Sequence, residues 1–240
     1  MKNIFKEDRE ITSMDTDFNL EVKPSTLFMM FQELSSKHSE ILKIGKAATI
    51  DKNLHWVITR FDVEIIRMPK YGEKVVVSTY PGDNNPIFFL RHYYIEDNKH
   101  NVLVKANSVW AIIDGNTHRV VKDPFPNLKL PVEHRDDELA MPNKIVGNVD
   151  ACVYQRRITY SDIDLNKHLN NTRYVELIQD AFDLSFYEQY KLKRIEINYN
   201  AELKAGDEVK IYRSNENPYI LSGQKDGKEH FIARLTFDKR

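Results

Sequence analysis

Residues Met68–Val75 read M-P-K-Y-G-E-K-V and residues Glu202–Val209 read E-L-K-A-G-D-E-V, so Gly72 lies over Gly206 and Met68 over Glu202. A glycine among short polar residues marks a turn. What precedes each turn is also alike. Phe61, Val63 and Ile65 alternate with Arg60, Asp62 and Glu64, the period of a half-buried strand, and Arg194-Ile195-Glu196-Ile197-Asn198-Tyr199 stands in the same place before the second turn. The chain therefore carries an internal duplication.

Working outward, strand texture continues through Val75–Tyr80, Phe88–Tyr94 and Ala106–Ile113, punctuated by Pro81-Gly82, Asp97-Asn98 and Asp114-Gly115-Asn116. Upstream, a short polar lead is followed by Pro24-Ser25, and then Leu27, Met30, Phe31, Leu34 and Ile41 keep a helical period. The same order returns later: a helix from Tyr174, the strand at Arg194–Tyr199, then strands at Glu208–Tyr212, Pro218–Gly223 and His230–Phe237. Between the copies the periodicity lapses, and Pro124, Pro126, Pro131 and Pro142 mark a connector. The expected organisation is a first unit over residues 1–122, a connector over 123–148 and a second unit over 149–240. The fold class is α+β: one long helix wrapped by a four- or five-stranded antiparallel sheet, made twice, the two sheets joined edge to edge so that their exposed edges pair.

The chemistry concentrates in Tyr160–Tyr174, Y-S-D-I-D-L-N-K-H-L-N-N-T-R-Y. Asp162, Asp164, Asn166, His168 and Asn170 recur every second residue, which on an extended backbone places all five on one side. Asn170 or Asn171 then reads as a helix N-cap, ahead of Tyr174, Leu177, Ile178 and Ala181 at helical spacing. Acid–base catalysis needs a titratable group oriented by others, and several converge here. Sliding helix on helix puts Asp15, Asp17, Asn19 and Glu21 over Asp162, Asp164, Asn166 and His168. The copies then differ at two telling places: Glu21 faces His168, and Met68 faces Glu202.

Composition narrows the field. Of 240 residues 41% are hydrophobic and 11% aromatic, enough for a substantial core, while 35 Lys plus Arg nearly cancel 36 Asp plus Glu. No run of one sign suggests a nucleic-acid groove or an anionic membrane, and no stretch of about 20 apolar residues can span a bilayer. The charged lead Met1–Arg9 does not read as a signal peptide, so the expected location is cytoplasmic. A single cysteine, Cys152, excludes an internal disulfide and a multi-thiolate metal site. Its apolar neighbours Ala151 and Val153 suit a packed small hydrophobe rather than a nucleophile. Calcium is disfavoured because Lys167 stands where an EF-hand loop needs glycine and Arg173 where it needs glutamate. Zinc lacks a second ligand beside His168, and the eight glycines form no phosphate cradle. No metal or cofactor is expected.

Taken together, D-x-N-x-H-x-N-N at Asp164–Asn171, E-I-N-Y-N-A-E-L-K-A-G-D-E-V at Glu196–Val209, M-P-K-Y-G-E-K-V, S-V-W-A-I-I-D and T-H-R-V-V-K resemble the acyl-acyl-carrier-protein thioesterases, double-hotdog enzymes that release fatty acids in plants and many bacteria. The resemblance covers most of the chain. It implies hydrolysis of the thioester of a fatty acyl chain carried on the phosphopantetheine of acyl carrier protein, with catalytic residues at Asp164, Asn166, His168 and Glu202. Plant members often carry a cysteine directly after that glutamate; Leu203 stands there in this chain, which puts a thiolate mechanism out of reach.

On this reading Glu202 with His168 supplies the base, Asp164 orients the imidazole, and Asn166 with backbone N–H groups at the helix start holds the thioester oxygen. Whether Glu202 activates water or attacks directly to form an anhydride stays open. The first half, with Met68 and the stripe Leu27, Met30, Phe31 and Leu34, is expected to take the acyl tail, so Met30 and Met68 are the candidate substrate-binding residues. Arg156, Arg157, Lys167, Arg173 and the run Lys191–Arg194 are candidates for receiving an acidic carrier protein. A coenzyme A thioesterase of the same fold and a non-catalytic acyl-thioester sensor remain alternatives, and a homodimer is left open.

Overall fold

The computed structural model describes residues 3–126 and 129–240. Its first half contains β1 (Phe5–Glu10), α1 (Pro24–Ile41), the short α2 (Lys46–Thr49), β2 (Leu54–Ile65), β3 (Lys74–Asn84), β4 (Phe89–Asp97) and β5 (Val102–Asp114). The second half contains β6 (Ala151–Arg157), α3 (Asn171–Gln179), α4 (Leu184–Gln189), β7 (Tyr190–Tyr199), β8 (Glu208–Arg213), β9 (Tyr219–Lys225) and β10 (Lys228–Lys239). All ten strands form one antiparallel sheet in the order β1-β3-β4-β5-β2-β7-β10-β9-β8-β6. With the copies matched, that order reads the same from both ends.

The seam is the β2–β7 ladder, where Phe61 faces Ile197, Asp62 faces Glu196 and Val63 faces Ile195. Asp62 and Glu196 are counterparts in the duplicated sequence, so a local two-fold passes between them. Even the bulges repeat: the β2–β5 ladder passes over Thr59 and the β7–β10 ladder passes over its counterpart Lys193. Arg194 closes the seam with Nη2 2.6 Å from Oδ2 of the buried Asp62.

The apolar stripe of α1 does what its spacing requires. Leu27, Met30, Phe31 and Leu34 are all buried, and Phe31 lies on Phe61 and Tyr93 with ring centroids 6.1 and 4.9 Å apart. Each such side chain contributes on the order of 1.5–3 kcal/mol by leaving water. Ile41 departs from the expected stripe and is exposed, while His38, one turn earlier, is buried.

The polar lead, to which sequence reasoning assigns no element, pairs over Phe5–Glu10 with β3 as the edge strand β1. Two other expectations need correction. The second helix is short, because the Tyr154 and Tyr187 hydroxyls take the carbonyls of Leu177 (2.5 Å) and Gln179 (2.9 Å) that a further turn would have used. Cys152 does not pack inside; it is exposed on β6, the opposite edge strand.

Among its described residues the stretch 123–148 holds no helix or strand and lies along the sheet face away from the helices. Asn107 donates to the carbonyls of Leu139 (3.0 Å) and Ala140 (2.8 Å), Arg60 to that of Pro142 (2.9 Å), and Asn198 accepts the Ile145 N–H (2.7 Å). Glu138 accepts the Tyr80 hydroxyl at 2.8 Å. Among the described residues no helix is long and apolar enough to cross a membrane.

Candidate active site

The row from Asp162 to Asn170 is a turn and not an extended strand, so its five polar side chains do not share one side. Asp162 ends a 3-10 turn at Tyr160–Asp162, where it is buried and accepts from the Thr159 N–H (2.8 Å) and hydroxyl (3.1 Å) and from Arg156 (2.5 Å). Ile163 then bridges to Leu169, the Asp164 N–H reaches the His168 carbonyl (2.8 Å), and Lys167 closes the turn in the left-handed region at φ 64. Asn170 is the expected N-cap of α3, accepting the Thr172 N–H at 3.0 Å.

The Asp164 carboxylate is spent on this backbone. One oxygen, Oδ1, accepts the N–H groups of Asn166 (2.8 Å) and His168 (3.3 Å). Among the described residues it makes no ion pair with the imidazole. Asp164 thus fixes where His168 leaves the chain, correcting the expectation that it orients the ring. Asn166 lies exposed at the tip, with no side-chain hydrogen bond among the described residues.

The turn is tied to the repeat's Glu202–Val209 stretch by the Leu169 N–H to the Leu203 carbonyl at 2.7 Å. That bond sets the loop beside the segment leaving β7, and His168 Nε2 stands 3.0 Å from Glu202 Oε2. Both side chains are partly open to solvent, 28% and 37% exposed, so the pair can be reached from outside. Lys204 Nζ lies 4.0 Å from the same carboxylate oxygen.

Two further residues hold Glu202, and sequence reasoning missed both. His230 Nδ1 donates to the Glu202 carbonyl at 2.9 Å, and its own carbonyl accepts the N–H groups of Asn200 (2.8 Å) and Ala201 (3.0 Å). Tyr174, buried in α3, turns its phenol to the Leu203 backbone N–H, and burial pushes that phenol well above its usual range, so it stays protonated. The available signal was weak: a histidine just before the apolar run Phe231-Ile232-Ala233, and a tyrosine where the first copy has Leu27.

The first half contains the same loop, bond for bond. Asp15 accepts from the Thr12 N–H (2.9 Å) and hydroxyl (2.7 Å) and from Arg9 (2.6 Å). Asp17 Oδ1 accepts the N–H groups of Asn19 (2.8 Å) and Glu21 (3.2 Å), Leu20 closes the turn at φ 59, and the Val22 N–H reaches the Pro69 carbonyl (2.9 Å). The overlap of Asp15, Asp17, Asn19 and Glu21 on Asp162, Asp164, Asn166 and His168 is therefore structural. In this copy Glu21 pairs with Arg240 at 2.7 Å, and Met68 packs partly buried against the core. Among the described residues, of these two loops the second alone places a histidine against a glutamate.

The remaining candidates fall elsewhere. Met30 is inside the core of the first half. Two cavities, of ≈ 480 and ≈ 460 Å³, are lined around His92, His134 and Glu138 and around Phe5, Lys6 and His38; neither touches His168, Glu202, Met30 or Met68. Among the expected basic contributors, Arg156, Arg173 and Arg194 are bound to Asp162, Glu176 and Asp62 and Lys193 reaches the Ile66 carbonyl (3.3 Å), leaving Arg157, Lys167 and Lys191 exposed.

Two helix-wrapped sheets fused edge to edge, with the His168–Glu202 pair at the loop of one of them, define a double-hotdog protein. The chain belongs to the acyl-ACP thioesterase family: residues 2–124 match its N-terminal domain and residues 150–237 its C-terminal domain. It is 26% identical over 215 residues to the palmitoyl-acyl carrier protein thioesterase of Arabidopsis thaliana chloroplasts, covering 83% of this chain and 52% of that one. Against the oleoyl-acyl carrier protein thioesterase 2 of the same plant it is 24% identical over 234 residues, covering 89% and 64%. The chain thus spans about half to two thirds of the length of these curated relatives. An acyl-ACP thioesterase from Bacteroides thetaiotaomicron superposes with a TM-score of 0.91 at 25% identity, covering 98% of both chains. The 12:0-ACP thioesterase of Umbellularia californica shares the fold, with a TM-score of 0.85 at 19% identity over 100% of this chain and 99% of that one.

Proposed function

We propose that this chain hydrolyses the thioester of fatty acyl-acyl-carrier-protein, releasing a free fatty acid and the carrier with its free thiol. The observation that carries the reading is the His168–Glu202 pair at 3.0 Å, built in one copy of a duplicated loop and absent from the other. Glu202, hydrogen-bonded to His168, accepts a proton from a water that attacks the thioester carbon. The exposed Asn166 amide and backbone N–H groups near the start of α3 meet the oxyanion. The tetrahedral intermediate collapses, the carbon–sulfur bond breaks, and the proton held by the pair goes to the departing thiolate.

Residues 1–122 serve as the acyl-chain half, 149–240 as the catalytic half, and 123–148 as the strap between them. Met30 and Met68 line the tail's path, because methionine repacks around guests of different length. Both members of the pair come from one half of one chain, so the chemistry does not need a second copy. We place the protein in the cytoplasm, where an acidic carrier would meet the exposed Arg157, Lys167 and Lys191.

Free-thiol release from acyl-acyl-carrier-protein and from acyl-coenzyme A, measured on one preparation, tests the reading. Faster release from the carrier protein supports it. Faster release from coenzyme A points to the second activity of this fold, and binding of both without release points to an acyl sensor.

A further inference from the structure

Because the two halves match strand for strand, their interiors can be compared position by position. Ser108 stands opposite Phe61 as Leu235 stands opposite Ile195, and Tyr93 stands opposite Ala106 as Leu221 stands opposite Ala233. Trp110, opposite Ile58, matches Phe237, opposite Leu192, and Ser35 matches Phe182 by the spacing that aligns the two site loops. In the second half all four positions are apolar and buried, with the Phe182 and Phe237 rings 5.3 Å apart.

In the first half the same four positions form one hydrogen-bonded string. The Trp110 indole N–H donates to Ser108 Oγ (2.7 Å), Ser108 Oγ lies 2.8 Å from Tyr93 Oη, Tyr93 Oη lies 2.7 Å from Ser35 Oγ, and Ser35 donates to the Phe31 carbonyl (2.8 Å). Run in that direction, every donor is used once and the string ends on a backbone carbonyl. It crosses the interior from β5 through β4 to α1. Toward the start of α1 the interior is apolar, lined by Leu27, Phe28, Phe31 and Phe61; beyond the string lies the buried guanidinium of Arg91, bonded to His38 Nδ1 at 3.1 Å. Burying polar groups is costly unless each is satisfied. The second copy shows that this fold does without them, so stability of the fold is no reason for their presence.

We propose that the Trp110–Ser108–Tyr93–Ser35 string is a bar that sets the longest acyl tail the first half accepts. The inference rests on the reading above that the first half takes the tail. A saturated tail short of the bar gains roughly fourfold in affinity for each methylene buried. One that reaches it must part the string and strand a buried hydroxyl, which costs roughly tenfold or more. The ligand class is therefore a fatty acyl chain of bounded length.

The test is the binding of a graded series of saturated fatty acids, read from Trp110 emission in a Trp56→Phe background, since the two indoles are only 6.5 Å apart. Tyr93→Phe is the probing variant: Ser35 still donates to the Phe31 carbonyl and Ser108 still accepts the Trp110 N–H, so each serine retains one partner. Ser35→Ala, which cuts the string at its helix end, is the second variant. The expected result is an affinity that climbs with length, falls past a cut-off, and has that cut-off moved to longer acids in both variants. An unchanged cut-off in folded variants, no cut-off at all, or a cut-off that moves with Leu221→Ala instead overturns the bar. Thiol release from acyl-carrier-protein on the same samples separates the two readings: turnover with an unmoved cut-off rejects the bar alone, whereas a cut-off that moves in a protein without turnover keeps the bar and rejects the hydrolase.

Discussion

At the residue scale, the informative contrast is between Asp164 and the pair it stands beside. Asp17 makes the same two backbone bonds in the half that has neither the histidine nor the glutamate, so those bonds build a turn wherever the turn occurs. What distinguishes the second half is His168 and Glu202. Replacing either by alanine should leave a folded protein and lower turnover by about 100-fold or more, the scale of a lost general base. Asp164 acts through a single acceptor oxygen, which asparagine also has. Asp164→Asn should then keep turnover within about threefold of wild type, while Asp164→Ala, which frees two backbone donors, should lose about tenfold or more along with some stability. A steady-state comparison of the two variants decides it: equal and severe losses would return Asp164 to the chemistry as a carboxylate. Cys152, exposed on an edge strand, should tolerate serine with unchanged turnover.

At the element scale, the paired loops and the two helices are the units. The strands, their turns and the duplication were legible in the sequence because alternation and Gly72 or Gly206 are local signals, each glycine sitting at positive φ (76 and 92) where other residues are strained. The site loop was legible in its residues and not in its shape. Period-two spacing suggests a strand, but Asp164 offers its carboxylate to nearby amides, and Lys167 accepts a left-handed turn, so local side-chain bonds won over alternation. His230 and Tyr174 were invisible for another reason. Their roles depend on which strand and helix lie beside Leu203, and that is a tertiary fact. The helices carry a prediction about the tail. Met30→Trp on α1 should shift released fatty acids toward shorter chains, whereas Ile178→Trp on α3 should lower activity or stability without that shift. The fatty acid profile from a mixed acyl-carrier-protein pool reads both, and a shift confined to the α3 variant would move the tail to the other half.

At the scale of the whole molecule, a symmetric sheet has been used asymmetrically. One half keeps an acid–base pair over an apolar, aromatic interior, and the other keeps the loop, loses the pair and carries a polar string inside. Its stability should follow pH through carboxylates that the fold holds below their usual range. Hydrogen bonds from Arg67 hold the Glu73 carboxyl down against the opposing effect of its burial. Its contribution is complete above the unfolded value near 4.3 and is lost as pH falls through the lower folded value, so thermal stability should decline in that acid window, and less steeply in Glu73→Gln. A melting series from pH 6 to about pH 3 checks this; parallel profiles for the two proteins would contradict it.

The central claim is that thioester hydrolysis belongs to the pair in the second half, and the most direct measurement is the single-turnover rate of free-thiol release from acyl-acyl-carrier-protein by wild type and by Glu202→Ala. The account predicts rapid release by wild type and a loss of about 100-fold or more in a variant with an unchanged melting curve. Release by the folded Glu202→Ala variant at the wild-type rate would contradict it.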